Sequence, residues 1–143
     1  MKKTILKLQF LSMEDDDGLH LNTSIFINGK KANMIVDTGA SKTVFDSGRI
    51  KQFTGNNKLE KHKKQATGLG TNTMQSHSTM VNTLRLKNVV IKNYVALLLD
   101  LSHVNSAYKK MGMKAIDGVL GGDILNKHKA IIDYRKKTLQ LFY

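Results

Sequence analysis

Asp37-Thr38-Gly39-Ala40-Ser41 is the segment of this chain whose residue types can do chemistry. A carboxylate placed between an apolar run, Met34-Ile35-Val36, and a glycine turn can act as a general acid or base. Gly39, two residues on, lets the backbone turn sharply and approach a substrate closely. The Thr38 hydroxyl can tie the loop down by hydrogen bonding. Taken alone, Asp-Thr-Gly is also what a plain Asx turn after a strand looks like. The apolar strand before it and Ala40-Ser41 after it strengthen the catalytic reading. The chain supplies this arrangement once, so a mechanism that pairs two carboxylates needs a second copy of the chain. Asp46-Ser47-Gly48 follows too soon to belong to a second lobe and is expected to cap a helix. Asp117-Gly118 lacks the hydroxyl residue and reads as a turn.

Two further segments stand out. Val119-Leu120-Gly121, followed by Gly122-Asp123-Ile124-Leu125, reads as a short strand, a glycine turn and a helix. Gly68-Leu69-Gly70 lies between two extended runs and reads as a mobile hairpin tip. It is no dinucleotide fingerprint, because the third glycine and the following helix are missing.

The elements that must position these residues are mostly strands. Residues 4–11 alternate as one strand, and Leu21–Ile27, Asn28-Gly29 and Ala32–Val36 form a hairpin, Asn-Gly being the strongest short hairpin signal. A short helix is expected over 48–54 and extended segments over 60–67 and 74–86. The β-branched run Val89–Leu99 predicts a buried strand. Residues 103–112 form the one substantial helix, stopped at Gly112, and 129–134 with 138–143 close a second hairpin. The sum is one mostly β domain over 1–143, a small closed barrel or rolled sheet with one or two short helices.

Composition narrows the function. With 143 residues there is room for one ordinary core, and no apolar run reaches the roughly 20 residues of a membrane-spanning helix. The first ten residues resemble a signal peptide only superficially, since Lys7 and Gln9 interrupt the apolar stretch, so a cytoplasmic protein is expected. There is no Cys, which excludes disulfides, thiolate metal sites and Cys nucleophiles. The five His show no ligand spacing, and no metal or organic cofactor is expected. A net charge of +12 would suit an acidic partner. However, the lysine clusters are scattered and no aromatic residues interleave with them, which argues against a nucleic-acid-binding domain.

In their order along the chain, Asp37-Thr38-Gly39-Ala40-Ser41, the glycine-bearing tip and Val119-Leu120-Gly121 resemble the retropepsin-like aspartic proteases. The closing stretch, Gly118–Leu125 followed by Ala130-Ile131-Ile132-Asp133-Tyr134, is similar to the bacterial members. The resemblance covers roughly residues 20–143. It implies a homodimeric endopeptidase acting on peptide or protein substrates. Asp37 would be the catalytic aspartate and Thr38 would donate across the dimer. Gly39 would offer its carbonyl to the substrate backbone, with Ser41 beside it. Gly68, Leu69 and Gly70 would form the flap tip, and Val119, Leu120 and Gly121 would support the catalytic loop. Val44, Leu69 and Val119 near the site suggest apolar side-chain subsites. An acidic residue typical of the viral enzymes is replaced here by Ser41, and an Arg by Gly122. The ion pair they form is therefore absent, and the terminal strands become candidates for bracing a dimer. Ala40 stands where pepsin-type enzymes carry a hydroxyl residue. A retropepsin-like dimer that binds peptides without cutting them is the alternative reading.

Overall fold

The computed structural model describes residues 1–13, 18–55, 60–61 (backbone only) and 77–143. Its strands are β1 (Lys3–Lys7), β2 (Gln9–Ser12), β3 (Leu19–Ile27), β4 (Lys30–Val36), β5 (Val44–Asp46), β6 (Glu60–Lys61), β7 (His77–Leu86), β8 (Val89–Leu99), β9 (Gly118–Leu120), β10 (Ile131–Asp133) and β11 (Thr138–Phe142). Three short helices intervene, α1 (Lys51–Thr54), α2 (Ser102–Lys110) and α3 (Gly122–Lys127). None of the described helices is long and apolar enough to cross a membrane.

One sheet runs in the order β2-β3-β4-β9-β5-β8-β7-β6, and β3 also pairs with β7. That extra pairing closes β3, β4, β9, β5, β8 and β7 into a six-stranded barrel. Alternation explains the inside: Ile25 and Ile27 of β3, Met34 of β4, Phe45 of β5, Val81 and Leu84 of β7, Ala96 and Leu98 of β8 and Leu120 of β9 are all essentially inaccessible. Each fully buried large side chain contributes about 1.5–3 kcal/mol relative to exposure. β8 has the expected bounds but is buried on one face only. Val90 and Val95 are exposed, because no second layer among the described residues covers them on the outer face of the barrel. The β3–β4 hairpin turns on Asn28 and Gly29, both with positive φ, as the Asn-Gly pair predicts. Asn28 also fastens the turn to its neighbours: its amide nitrogen donates to Phe53 O (3.1 Å) and its Oδ1 accepts from Thr83 N–H (3.1 Å).

The stretch expected as one strand over 4–11 divides after Lys7. Thr4, Leu6 and Leu8 point inward, then Phe10 and Leu11 are both half-buried, so the alternation breaks and the chain passes from one sheet to another. β1 joins a separate sheet in the order β1-β11-β10, in which Leu6 lies opposite Leu139 and Thr4 opposite Leu141. The terminal strands considered as braces for a dimer are thus already paired within one chain. β1 and β10 are the edge strands of this sheet, and the outer edge of β1 is already engaged within the chain, Ile5 O accepting from Lys87 Nζ (2.7 Å) and Lys7 O from Thr23 Oγ1 (2.9 Å).

Two aspartates depart from what their sequence neighbours suggest. Asp46 does not cap a helix; α1 begins only at Lys51 and has no side-chain cap. Asp46 is buried instead, and its Oδ1 accepts Leu101 N–H (2.8 Å), holding the entry to α2. Asp117 is not an exposed turn residue. Its Oδ2 accepts Asn33 N–H (2.8 Å) and its Oδ1 binds Arg49 Nε (2.8 Å). In both cases a backbone N–H or a cation inside the fold satisfies a carboxylate that would otherwise be costly to bury.

Helix α2 ends as expected at Gly112, whose φ is +69°. Met113 N–H reaches Tyr108 O (2.9 Å) and Gly112 N–H reaches Lys109 O (3.1 Å), a Schellman closure. The helix packs on the outer face of β3 through Tyr108, which is fully buried and within hydrogen-bond distance of Asn22 and His20. Asn105 then bonds both N–H and C=O of Ile116, aiming the chain into β9.

β9 lies parallel to β4 and antiparallel to β5, and Gly118 sits at the crossing. A Cβ there would collide with the Val44 carbonyl and come within 2.9 Å of Met34 Cε and 3.1 Å of Phe45 Cδ1. The Val44 backbone cannot step aside without opening the barrel. Gly118→Ala is therefore expected to lower stability by at least about 2 kcal/mol, read as a drop in the thermal midpoint. An unchanged midpoint would show that β9 is not clamped in this way.

Candidate active site

Asp37 is the first residue beyond β4. Its N–H donates to Leu120 O (3.0 Å), carrying the β4–β9 ladder one step past Val36. The chain then turns: Gly39 N–H donates to Asp37 Oδ1 (2.9 Å) and Ala40 N–H to Asp37 O (3.2 Å). The Asx turn considered for this segment is therefore present, and it shapes the loop rather than hiding the carboxylate. Asp37, Thr38, Gly39 and Ser41 are exposed and Ala40 is half-buried. The Thr38 hydroxyl has no partner among the described residues.

From below, the loop is held by the start of α3. Gly122 N–H donates to Ala40 O (2.7 Å) and Asp123 N–H to Ser41 O (3.1 Å). Gly121 lies so close that a Cβ would stand 2.6 Å from the Lys42 carbonyl carbon and 2.8 Å from Ala40 O. Its φ of −111° is open to any residue, so glycine is required there for space, not for conformation. Asp123 completes the clamp. Its Oδ1 accepts both Thr43 N–H and Thr43 Oγ1–H at 2.8 Å, and its Oδ2 accepts Tyr94 O–H at 2.8 Å. Thr43 Oγ1 in turn accepts Gly121 N–H (2.9 Å). Burial, followed by the hydrogen bond to Asp123 and its charge, pushes the Tyr94 phenol well above its ordinary value, so it remains a donor.

The register separates Asp37 from its look-alikes. Asp117 precedes Gly118, which pairs with Met34, so it lies near Asn33, about 13 Å of strand before Asp37. Asp46 N–H donates to Asp117 O (2.8 Å), which places Asp46 at the same far end. Both look-alikes are buried and bonded, and Asp123 is spent on Thr43 and Tyr94. Asp37 is thus the one exposed carboxylate on this loop. Val44 and Val119, expected near the site, face each other across the β5–β9 pairing and are half-buried. No three His, Asp or Glu side chains among the described residues converge as metal ligands would. The flap-tip residues Gly68, Leu69 and Gly70 lie outside the described residues.

A family model for aspartyl protease matches residues 23–124, a span that holds Asp37, the loop after it and Gly121 to Asp123. The chain belongs to the aspartyl protease family. Its fold is retropepsin-like. A retropepsin-like aspartic protease from Rickettsia conorii is similar over 99% of this chain and 95% of its own, with a TM-score of 0.57 at 21% identity. The retroviral protease-like domain of Ddi1 from Leishmania major is similar over 85% of this chain and 87% of its own, with a TM-score of 0.55 at 16% identity. EIAV protease, complexed with the inhibitor HBY-793, reaches a TM-score of 0.50 at 25% identity over 78% of this chain and 90% of its own. No curated protein matches.

In this aspartyl protease the loop from Asp37 to Ser41 lies directly against the segment that begins at Val119 and turns at Gly121. Sequence reasoning missed Thr43, Tyr94 and Asp123, which hold that loop in place. Asp123, two residues after Gly121, carries a faint signal as an acid in a first helical turn. Tyr94 carries no local signal: it lies 29 residues from Asp123 and meets it only through the fold.

Removing the Tyr94 hydroxyl leaves Asp123 Oδ2 without its donor. Tyr94→Phe is expected to cost about 1–3 kcal/mol of stability and to loosen the loop above it. Because the folded-state value is raised above the ordinary 10.0, the contribution is fully present below pH 10 and is lost as the pH rises beyond it. Thermal midpoints measured between pH 7 and about 11 should therefore differ most between wild type and Tyr94→Phe below pH 10 and converge above it. Parallel curves throughout would contradict the assignment.

Proposed function

We propose that residues 1–143 form one retropepsin-like domain that acts as half of an aspartic endopeptidase, completed by a second copy of the chain. The observation that carries this reading is the single exposed carboxylate, Asp37, on a loop clamped from below, with Asp46, Asp117 and Asp123 each engaged elsewhere. Two Asp37 side chains, one from each subunit, would share a water and a single proton, since like charges at close range do not both ionise. The ionised member draws a proton from the water as it attacks the scissile carbonyl, and the protonated member polarises that carbonyl. The tetrahedral intermediate then collapses as a carboxyl group protonates the leaving amine.

The remaining roles are those the resemblance to the retropepsin-like proteases implies. Thr38, exposed and unpartnered among the described residues, is free to donate to the opposing loop. Gly39 and Ser41 offer backbone and hydroxyl groups to a peptide lying along the loop, while Gly68, Leu69 and Gly70 would close over it as the flap tip. The support for a peptide ligand is the likeness to EIAV protease, a protein complexed with an inhibitor.

A peptide-library digest compares wild type with Asp37→Asn. Cleavage by wild type, lost by at least about a thousandfold in the variant, supports the protease. No cleavage by either protein at any pH, with both dimeric, favours a peptide-binding module. Ala40 offers no hydroxyl to the carboxylate, so the pH–rate profile should peak nearer neutral than strongly acidic pH. Ala40→Ser should shift its acid limb down by up to about one unit, the value of one hydrogen bond to the charged form. A wild-type optimum in the strongly acidic range would contradict this.

A further inference from the structure

At the far end of β4 from Asp37, a cavity of about 570 Å³ opens between α1, the segment after α2 and the outer face of β2 to β4. Its walls include Lys31, Arg49 and Lys114, with Ser24 and Gln52 among the neutral polar groups. Arg49 is aimed by a carboxylate that is itself fixed. Asp117 is 6% exposed, accepts Asn33 N–H through Oδ2 (2.8 Å) and receives Gln52 Nε2 (3.3 Å) and Arg49 Nε (2.8 Å) at Oδ1. Only Nε of the guanidinium is used. Its two terminal amino groups have no partner among the described residues, and its side chain is 38% exposed.

Among the described residues, three cations stand here against one carboxylate, which leaves two positive charges. An arginine held by Nε presents its remaining N–H groups as a preorganised donor set, and such donors match the oxygens of a phosphate or carboxylate. The volume lies within the range of small-molecule sites. We propose that this cavity binds a compact dianion, a phosphate monoester or a small dicarboxylate, at a site separate from the Asp37 loop. Arg49 supplies the directional contact, and Lys31 and Lys114 supply charge from either side.

The test is a titration of the full chain at fixed ionic strength with inorganic phosphate and, separately, with succinate, followed by amide and Arg Nε NMR shifts. Saturable shifts centred on Arg49, Lys31 and Lys114 are expected, and the tighter of the two probes assigns the class. Lys31→Gln with Lys114→Gln should weaken binding on the order of tenfold or more, and Arg49→Lys should weaken it although charge is kept. Lys3→Gln with Lys127→Gln, which removes the same charge at residues that do not line the cavity, should leave it unchanged. Non-saturable shifts, or equal weakening by the two lysine pairs, would mean diffuse attraction to a basic protein and would overturn the proposal. The lysine variants keep the test valid if an Arg49 variant proves unstable.

Discussion

The close seat of Gly121 against the loop that follows Asp37 is the constraint on which the site depends. With no side chain at 121, the start of α3 reaches the loop backbone, and Ala40 O and Ser41 O are bonded directly by Gly122 and Asp123 N–H. The proposed pairing of two Asp37 carboxylates at short range needs a backbone that does not drift. The Asp123–Thr43–Tyr94 network supplies that stiffness, and every polar atom in it that could be costly to bury has a partner.

The barrel carries this constraint outward. β9 delivers Gly121 to its place, and β9 is fixed by pairing with β4 on one side and β5 on the other. Its entry is fixed by Asn105 of α2 and by Asp117, which ties β9 to Asn33 and Arg49. The two buried aspartates thus set the far end of the same strands whose near end presents Asp37. One end of the β4–β9 pair is held by ion pairing and hydrogen bonding, and among the described residues the other presents Asp37 to solvent.

Much of this was legible in the sequence because it rests on local chemistry. Asn28-Gly29 marked the hairpin, Gly112 the end of α2, and the Val89–Leu99 run a strand with those bounds. The loop at Asp37 and the segment at Val119 to Gly121 stood out through motif order. What could not be read was tertiary. Asp46 looks like a helix cap because its neighbours are Ser and Gly, yet its carboxylate is claimed by Leu101, 55 residues away. The break after Lys7 depends on Leu8 being drawn inward beside the second sheet, and the link from Tyr94 to Asp123 depends on how β8 curls around the barrel.

The central claim is that one chain holds half an active site. The most direct measurement keeps wild-type protein at a fixed low concentration and adds increasing Asp37→Asn chain, following peptide cleavage while confirming folding of both. The account predicts that activity falls progressively as wild-type subunits are drawn into mixed pairs holding only one Asp37. Activity that stays constant with the variant in large excess, while mixed pairs demonstrably form, would contradict it.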